Sequence, residues 1–276
     1  MSSSSPLSEQ DVSAASMSAR LARRRKTSGV DDPSTLSLAS NVAHVHRAHG
    51  RYDRARRVDE DTLSRRRAIL GADHPKTLSS AHNLVVDLAA VGDHVRAHRL
   101  AEDTLARRRR VLGDNHPDTL SSANNLARVL RALGKVEEAC GVADDTLTRR
   151  RMSLGASHPS TLSSANNLVV DLAAVGNHAR ARRLAEDTLA HRRRVLGGDH
   201  PDTLSSANNL AHVLRLQGEH EDARELDEDT LDRRRRVLGE NHPDTLSSAN
   251  NLIIDLIELG DGEGARAVDE WMNRIG

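Results

Sequence analysis

The sequence has almost no aromatic side chains: its 276 residues include no Phe, one Trp (Trp271) and one Tyr (Tyr52). A β-sandwich or β-barrel relies on aromatic and β-branched side chains for its core, so this shortage argues against both architectures. Leu, Val, Ile and Ala remain as core residues, and these suit closely packed helices. The composition therefore favours an all-α protein.

Other scarce features exclude further classes. The single cysteine, Cys140, cannot form an internal disulfide. No stretch approaches the ~18 apolar residues of a membrane-spanning helix, and the Ser-rich residues 1–16 lack the apolar run of a signal peptide. The 40 Lys and Arg residues balance 40 Asp and Glu residues, so no net charge attracts nucleic acid or an anionic membrane. We therefore expect a cytoplasmic protein with no membrane partner.

What the sequence does have is an internal repeat of 42 residues. Two series of glycines keep this spacing, one passing through Gly113 and the other through Gly134. The prolines keep it too, at Pro33, Pro75, Pro117, Pro159, Pro201 and Pro243. Proline is favoured in the first turn of a helix and glycine just after a helix end. Each repeat therefore predicts two antiparallel helices, a first helix that starts at the proline and a second helix between the two glycines.

This punctuation divides the chain into three parts. Residues 1–16 are predicted to form a disordered Ser-rich tail, and residues 17–28 an N-terminal capping helix. Residues 29–276 form six repeats, of which the last is truncated. Trp271 stands where other second helices carry Asp, as at Asp103, which is typical of a terminal cap.

Both helices of a repeat are amphipathic. In the third repeat, apolar residues recur in the first helix at steps of three and four, at Leu120, Ala123, Leu126, Ala127, Leu130 and Leu133. The second helix continues the pattern with Ala139, Val142, Ala143, Leu147 and Leu154. A single helix pair cannot bury these stripes alone, so we expect stacked neighbours to form a continuous core.

Runs of arginine close the second helices, as in Arg107 to Arg110. Asp103 lies four residues before Arg107, and cations near a helix C-terminus oppose the helix dipole. These acids, and the lack of aromatic side chains that could stack on bases, argue against nucleic acid as a partner. We interpret the runs as a solvated part of the scaffold.

The third repeat also resembles a known family. The segments Leu112–Leu120, Ala123–Ala127 and Gly134–Ala139 are similar to the 42-residue tetratricopeptide repeats of kinesin light chains and their bacterial relatives. The resemblance implies a right-handed superhelical solenoid whose first helices line a concave groove for extended peptides, often held by Asn side chains. The matching positions here are Asn41, Asn83, Asn125, Asn167, Asn209 and Asn251. Relatives also occur attached to signalling NTPases, but this chain has no Gly-x-x-x-x-Gly-Lys-[Ser/Thr] segment.

Helical angles place Arg128 opposite the apolar stripe of its helix, on the side of the expected groove. The same position in the six repeats holds His44, Val86, Arg128, Val170, His212 and Ile254. A basic or titratable group thus alternates with an aliphatic one, and the true period is 84 residues, as Arg131 and Arg215 also indicate. This pattern suits a peptide with alternating acidic and apolar side chains.

Two alternatives remain open for the groove residues. Duplication of an 84-residue block could have copied neutral residues, with Val86, Val170 and Ile254 packing on adjacent helices. The Asn side chains could bridge neighbouring first helices without any ligand.

The histidines do not predict a metal site. Five of them each precede a proline one repeat apart, too far from one another to converge on one ion: His74, His116, His158, His200 and His242. We interpret these as helix-start residues, and the pair His94 and His98 has no evident third ligand. No nucleophile elbow or phosphate loop stands apart from the repeat, so we predict neither catalysis nor a cofactor.

The sequence therefore predicts a non-catalytic protein- or peptide-binding scaffold. A second hypothesis is self-assembly into a structural homo-oligomer, which would give a mass that rises with concentration. A third, nucleic-acid binding, would show a steep loss of affinity with salt.

Overall fold

The computed structural model describes residues 9–275, with side chains from residue 14 onward. Over this range the protein consists of thirteen helices without a strand. Their bounds are α1 (Glu9–Thr27), α2 (Pro33–Ala48), α3 (Tyr52–Leu70), α4 (Pro75–Ala90), α5 (His94–Leu112), α6 (Pro117–Ala132), α7 (Val136–Leu154), α8 (Pro159–Ala174), α9 (His178–Leu196), α10 (Pro201–Leu216), α11 (His220–Leu238), α12 (Pro243–Glu258) and α13 (Gly262–Ile275). The predicted all-α fold is confirmed.

Helices α1–α6 form one compact unit and α7–α13 form a second, which we call the N-terminal and C-terminal units. Within each unit, consecutive helices pack against one another. α1 begins at Glu9, so its first two turns lie within the segment predicted as a tail, and residues 1–8 lie outside the described range.

The predicted apolar stripe forms the core of each repeat. In α6, Leu120, Ala127 and Leu130 are at most 2% exposed, and Val129 joins them. Leu133 follows the last turn of α6 and is only half-buried. Each helix of about sixteen or nineteen residues ends at a glycine because the chain must turn there: Gly113 and Gly134 have φ of 89° and 76°, which L-residues rarely adopt.

The five histidines before proline cap the first helices, as the sequence predicted. In each case Nδ1 accepts a hydrogen bond of 3.1 Å from the backbone N–H two residues later; these histidines are His74, His116, His158, His200 and His242. The first repeat carries Asp32 at this position, and its carboxylate accepts from the backbone N–H groups of both Ser34 and Thr35. Both residue types satisfy N–H groups that a helix start leaves without partners.

Replacing His74 by Asp should raise the free energy of unfolding by about 0.5–1 kcal/mol, because Asp caps two N–H groups and adds negative charge at a helix N-terminus. Urea denaturation measures the change. The reciprocal variant Asp32→His should lower stability by a similar amount. A loss of stability in His74→Asp would contradict the capping argument.

The arginine runs combine buried and exposed side chains, so the predicted solvated face describes only part of each run. Arg108 is 3% exposed, and its Nη1 donates to Ser122 Oγ at 2.8 Å and to the backbone oxygen of Asp118 at 2.7 Å. Equivalent bonds to the following first helix are made by Arg66, Arg150, Arg192 and Arg234. The preceding arginine, Arg107, forms the expected pair with Asp103 and also reaches Asp73 in the loop before α4. The runs therefore tie each repeat to the next.

The last helix carries an apolar cap. α13 has 14 residues where α11 has 19, and the ring of Trp271 packs against a cluster that includes Leu231, Leu252 and Leu256. The Arg235 guanidinium carbon lies 3.6 Å from the centroid of the Trp271 ring. Trp271 thus covers apolar surface formed by these three leucines.

Candidate peptide-binding groove

In each unit the predicted groove residues lie on one side of the first helices, and we call this side the first-helix face. It comprises α2, α4 and α6 in the N-terminal unit and α8, α10 and α12 in the C-terminal unit. His44, Arg128, His212 and Ile254 are exposed there, and Val86 and Val170 are half-buried. These side chains stand at the surface of helices whose opposite sides form the core.

Three of the predicted residues meet in the N-terminal unit. Val86 on α4 and Asn125 and Arg128 on α6 line a shallow depression between the two helices, with Ala89 beside them. An aliphatic floor, an amide and a guanidinium are thus placed side by side. This combination can hold an apolar side chain, a peptide backbone group and a carboxylate.

The regular spacing of the asparagines lets them contact one another and other side chains between neighbouring first helices. Asn251 Nδ2 donates to Asn208 Oδ1 of the preceding first helix at 2.7 Å, and Asn125 Nδ2 lies 3.4 Å from His82 Nε2. Asn251 and Asn125 therefore contact the preceding first helix, as the bridging alternative requires. An amide has two N–H donors and one oxygen acceptor, so Asn251 keeps a donor and its own oxygen for a ligand.

The remaining asparagines of the series differ in exposure. Asn41 is exposed, and Asn83, Asn167 and Asn209 are half-buried. The series therefore presents amides at the surface in every repeat, with the most accessible one in α2.

Two histidines of this region are uncharged at neutral pH. Desolvation, then the charges of Arg215 and His178, lower the pKa of His212 below its usual value of 6.5. Desolvation, then Arg108, lowers the pKa of His82 to about 4. His212 is therefore a neutral hydrogen-bonding group at pH 7, and Arg128 supplies the permanent positive charge of the predicted series.

Buried ion pairs explain part of the 84-residue period. These pairs were not predicted from the sequence. In the N-terminal unit, Arg47 donates to Asp87 and to Asp59, each at 2.7 Å. In the C-terminal unit, Arg215 contacts Asp227 at 2.6 Å and Asp255 at 2.8 Å. All four aspartates are 0% exposed. Each group, which we call a buried triad, joins the first helices of two consecutive repeats to the second helix between them.

In the sequence Arg215 indicates only the 84-residue period, and the structure gives this residue a role. Its side chain is only 9% exposed because it lies between the two carboxylates. In the N-terminal unit the sequence does contain a sign of such an ion pair. Asp87 lies in the middle of the apolar run Leu84–Ala90, and a charge in a buried stripe requires an opposite charge nearby. The partner could not be identified from helical angles alone, since the two residues are forty positions apart.

The C-terminal unit carries three exposed apolar side chains on its first helices: Leu216 and Ile254 on the first-helix face, and Ile257 at its edge, in the repeat position of Arg215. Leu216, Ile254 and Ile257 are 44%, 48% and 59% exposed. Leu216 replaces an alanine found at the same position in the first four repeats, and Ile257 replaces Ala89 of repeat two and Ala173 of repeat four. Plain duplication would have copied the alanines, so these substitutions distinguish this end of the chain. The sequence reading included only Ile254.

The described residues contain neither a candidate metal site nor a candidate membrane-spanning helix. Between residues 14 and 275, no three His, Cys, Asp or Glu side chains are grouped so that they could hold a metal ion. Of the helices described, none combines the length and the apolar character that crossing a bilayer requires.

Comparison with known proteins identifies the family. The tetratricopeptide repeat profile matches residues 33–110, 87–151, 122–193, 160–232 and 202–270. Together these segments cover most of the sequence, so the chain belongs to the tetratricopeptide repeat family. A comparison with curated proteins finds no match.

Solved structures place the chain near the kinesin-light-chain-like members. A Podosopora anserina protein, named as a kinesin light chain with nearly identical TPR-like repeats, is 28% identical (TM-score 0.65) over 75% of this chain and 97% of its own. BtubC (BKLC) from P. vanneervenii is 21% identical (TM-score 0.69) over 86% of this chain and 95% of its own. NprR, solved in complex with its cognate peptide NprX, is 15% identical (TM-score 0.62) over 95% of this chain and 74% of its own. The resemblance to kinesin light chains is confirmed, and the two lower identities support the fold alone.

Proposed function

We propose that the protein is a non-catalytic scaffold that binds an extended peptide or protein segment on its first-helix face. The observation that carries the proposal is the exposure of Leu216, Ile254 and Ile257 on the first helices α10 and α12, because two of these residues depart from the alanines of earlier repeats and remain in solvent. Exposed apolar side chains grouped on one surface are typical of a protein-interaction site.

The neighbouring polar groups define the kind of ligand. His212 is a neutral hydrogen-bonding group in the C-terminal unit, and Arg128 adds a cation to the N-terminal unit. Amides such as Asn251 retain donors for a peptide backbone. Apolar side chains of a ligand match the C-terminal unit, and an acidic side chain matches Arg128 of the N-terminal unit. NprR, which shares the fold, was solved with a bound peptide, and this supports the choice of ligand class.

The variant Leu216→Ala/Ile257→Ala introduces the alanines that earlier repeats carry at these positions. It should abolish or strongly weaken peptide binding without loss of stability. Both side chains are more than two-fifths exposed, so their removal leaves the core intact, while the ligand loses its apolar contacts. The measurement is selection of a displayed peptide library on the wild-type chain, followed by titration of the selected peptides against the variant. We expect affinity to fall at least tenfold.

Two controls sharpen this test. Arg57→Ala/Glu102→Ala removes exposed residues of the second helices and should leave affinity unchanged. Equal peptide affinity in wild type and Leu216→Ala/Ile257→Ala would contradict the proposal. Sedimentation of both proteins over a concentration series would show whether Leu216 and Ile257 instead mediate self-association, in which case only the wild-type mass rises.

A further inference from the structure

A cleft lies between the second helices α3 and α5 of the N-terminal unit, away from the first-helix face. Its volume is about 310 Å³. Leucines form its floor: Leu63, Leu84, Leu88 and Leu100. Charged side chains form its rim: Arg67, Arg96, Arg99 and Asp103. The cleft thus combines an apolar base with three guanidinium groups.

The protein fills the corresponding position elsewhere with its own aromatic ring. Four repeats further along the chain, Leu231, Leu252 and Leu256 correspond to three of the floor leucines, and Arg235 corresponds to Arg67. Trp271 corresponds to Asp103, packs against these leucines and stacks on Arg235 at 3.6 Å. The short side chain of Asp103 leaves the α3–α5 cleft open.

We propose that the α3–α5 cleft binds a planar aromatic side chain of a partner protein, stacked on the guanidinium of Arg67. The geometry of Trp271 on Arg235 is the internal example of this contact. Cations attract the face of an aromatic ring, and the leucine floor removes its edge from water.

The three guanidinium groups at the rim differ in their ion pairs. Arg96 is held by Glu60 at 2.8 Å, and Arg67 lies 3.7 Å from Asp103. Among the described residues, no carboxylate oxygen lies within 4 Å of the Arg99 guanidinium. Arg99 can therefore contact the second face or the edge of a ring that enters above Leu100.

The repeats supply a matched comparison within the same chain. The cleft position between α7 and α9 carries the same rim residues, with Arg151, Arg180 and Arg183 in place of Arg67, Arg96 and Arg99. The position between α9 and α11 keeps an arginine, Arg193, in place of Arg67 but carries Asp222 and Glu225 instead of Arg96 and Arg99. Carboxylates at the rim repel the negative face of an aromatic ring. We expect the aromatic ring to bind the first of these and to avoid the second.

The test uses the full chain with ¹³C-labelled leucine methyl groups and N-acetyl-tryptophanamide as the probe. A bound ring should shift the Leu100 methyl signals saturably and leave those of Leu226, in the α9–α11 position, unchanged. N-acetyl-phenylalaninamide should bind roughly two- to fivefold more tightly than N-acetyl-cyclohexylalaninamide, whose side chain has a similar size but no π face. Equal responses at Leu100 and Leu226, or equal affinity for these last two probes, would overturn the proposal.

Variants test the same site without disturbing the core. Asp103→Trp should place a ring over Arg67 and suppress the shifts at Leu100. Arg67→Gln/Arg99→Gln removes two exposed guanidinium groups and should also weaken binding at Leu100, whereas Arg57→Gln, an exposed arginine elsewhere on α3, should not. Wild-type affinity in the double variant would refute stacking on arginine. Because these residues lie outside the first-helix face, the outcome is independent of the peptide site.

Discussion

Replacing Arg215 by Met is expected to destabilise the C-terminal unit by about 3–5 kcal/mol, which is the usual cost of removing one partner of a buried ion pair. The guanidinium lies 2.6 Å from Asp227 and 2.8 Å from Asp255, and both carboxylates are 0% exposed. Without the cation, these acids have neither water nor an opposite charge. Hydrogen exchange of α10–α13 together with urea denaturation measures the loss, since contacts in a repeat array are local.

The matched control is Arg236→Met, which removes an exposed arginine from the neighbouring second helix and should change stability by less than about 0.5 kcal/mol. Most of the loss should be recovered in Arg215→Met/Asp227→Ala/Asp255→Val, because an apolar replacement of a whole buried ion group is often tolerated. Alanine already occupies the Asp227 position at Ala101, Ala143 and Ala185. If Arg215→Met costs no more than Arg236→Met, the triad does not stabilise the fold.

The buried triads also indicate how much of the molecule could be predicted from the sequence. The helix bounds could be predicted from proline and glycine because these residues restrict the local backbone. The same residues recur in all six repeats. The apolar core stripe could be predicted from helical angles because the period of a helix is also a local property of the chain. The triads depend on which side chains of neighbouring helices face each other. That property is set by packing between residues such as Arg47 and Asp87, and local pattern does not fix it.

The sequence predicted which residues lie on the first-helix face better than it predicted the contacts that these residues make. The position of Arg128 was correctly placed at the surface, since the angle from the core stripe fixes it. The bridge from Asn251 to Asn208 needed the distance between two helices, which no single repeat contains. Leu216 and Ile257 were visible in the sequence as departures from alanine, and attention to differences between repeats would have found them.

Replacing Asp59 by Asn should make the protein less sensitive to pH and more stable under alkaline conditions. Desolvation, then the neighbouring Asp87, raises the pKa of Asp59 to about 8 from an ordinary value of 3.8, although Arg47 partly offsets this. Between about pH 4 and pH 8 the folded protein thus holds a proton that the unfolded chain has released. The free energy of unfolding contributed by this group is fully present below pH 4 and is lost as the pH rises to about 8.

Asn cannot titrate, and its oxygen can still accept from Arg47 while its N–H₂ group faces Asp87 as the protonated acid does. Relative to wild type, Asp59→Asn should therefore gain about 3 kcal/mol between pH 5 and pH 8, measured by urea denaturation at each pH. Asp53→Asn, at an exposed acid on the same helix, should run parallel to wild type across that range. A wild-type profile in Asp59→Asn would mean that the proton resides elsewhere. A flatter profile would identify the N-terminal buried triad as one group through which pH acts on this fold, with Asp227, whose pKa is raised to about 7, as the other.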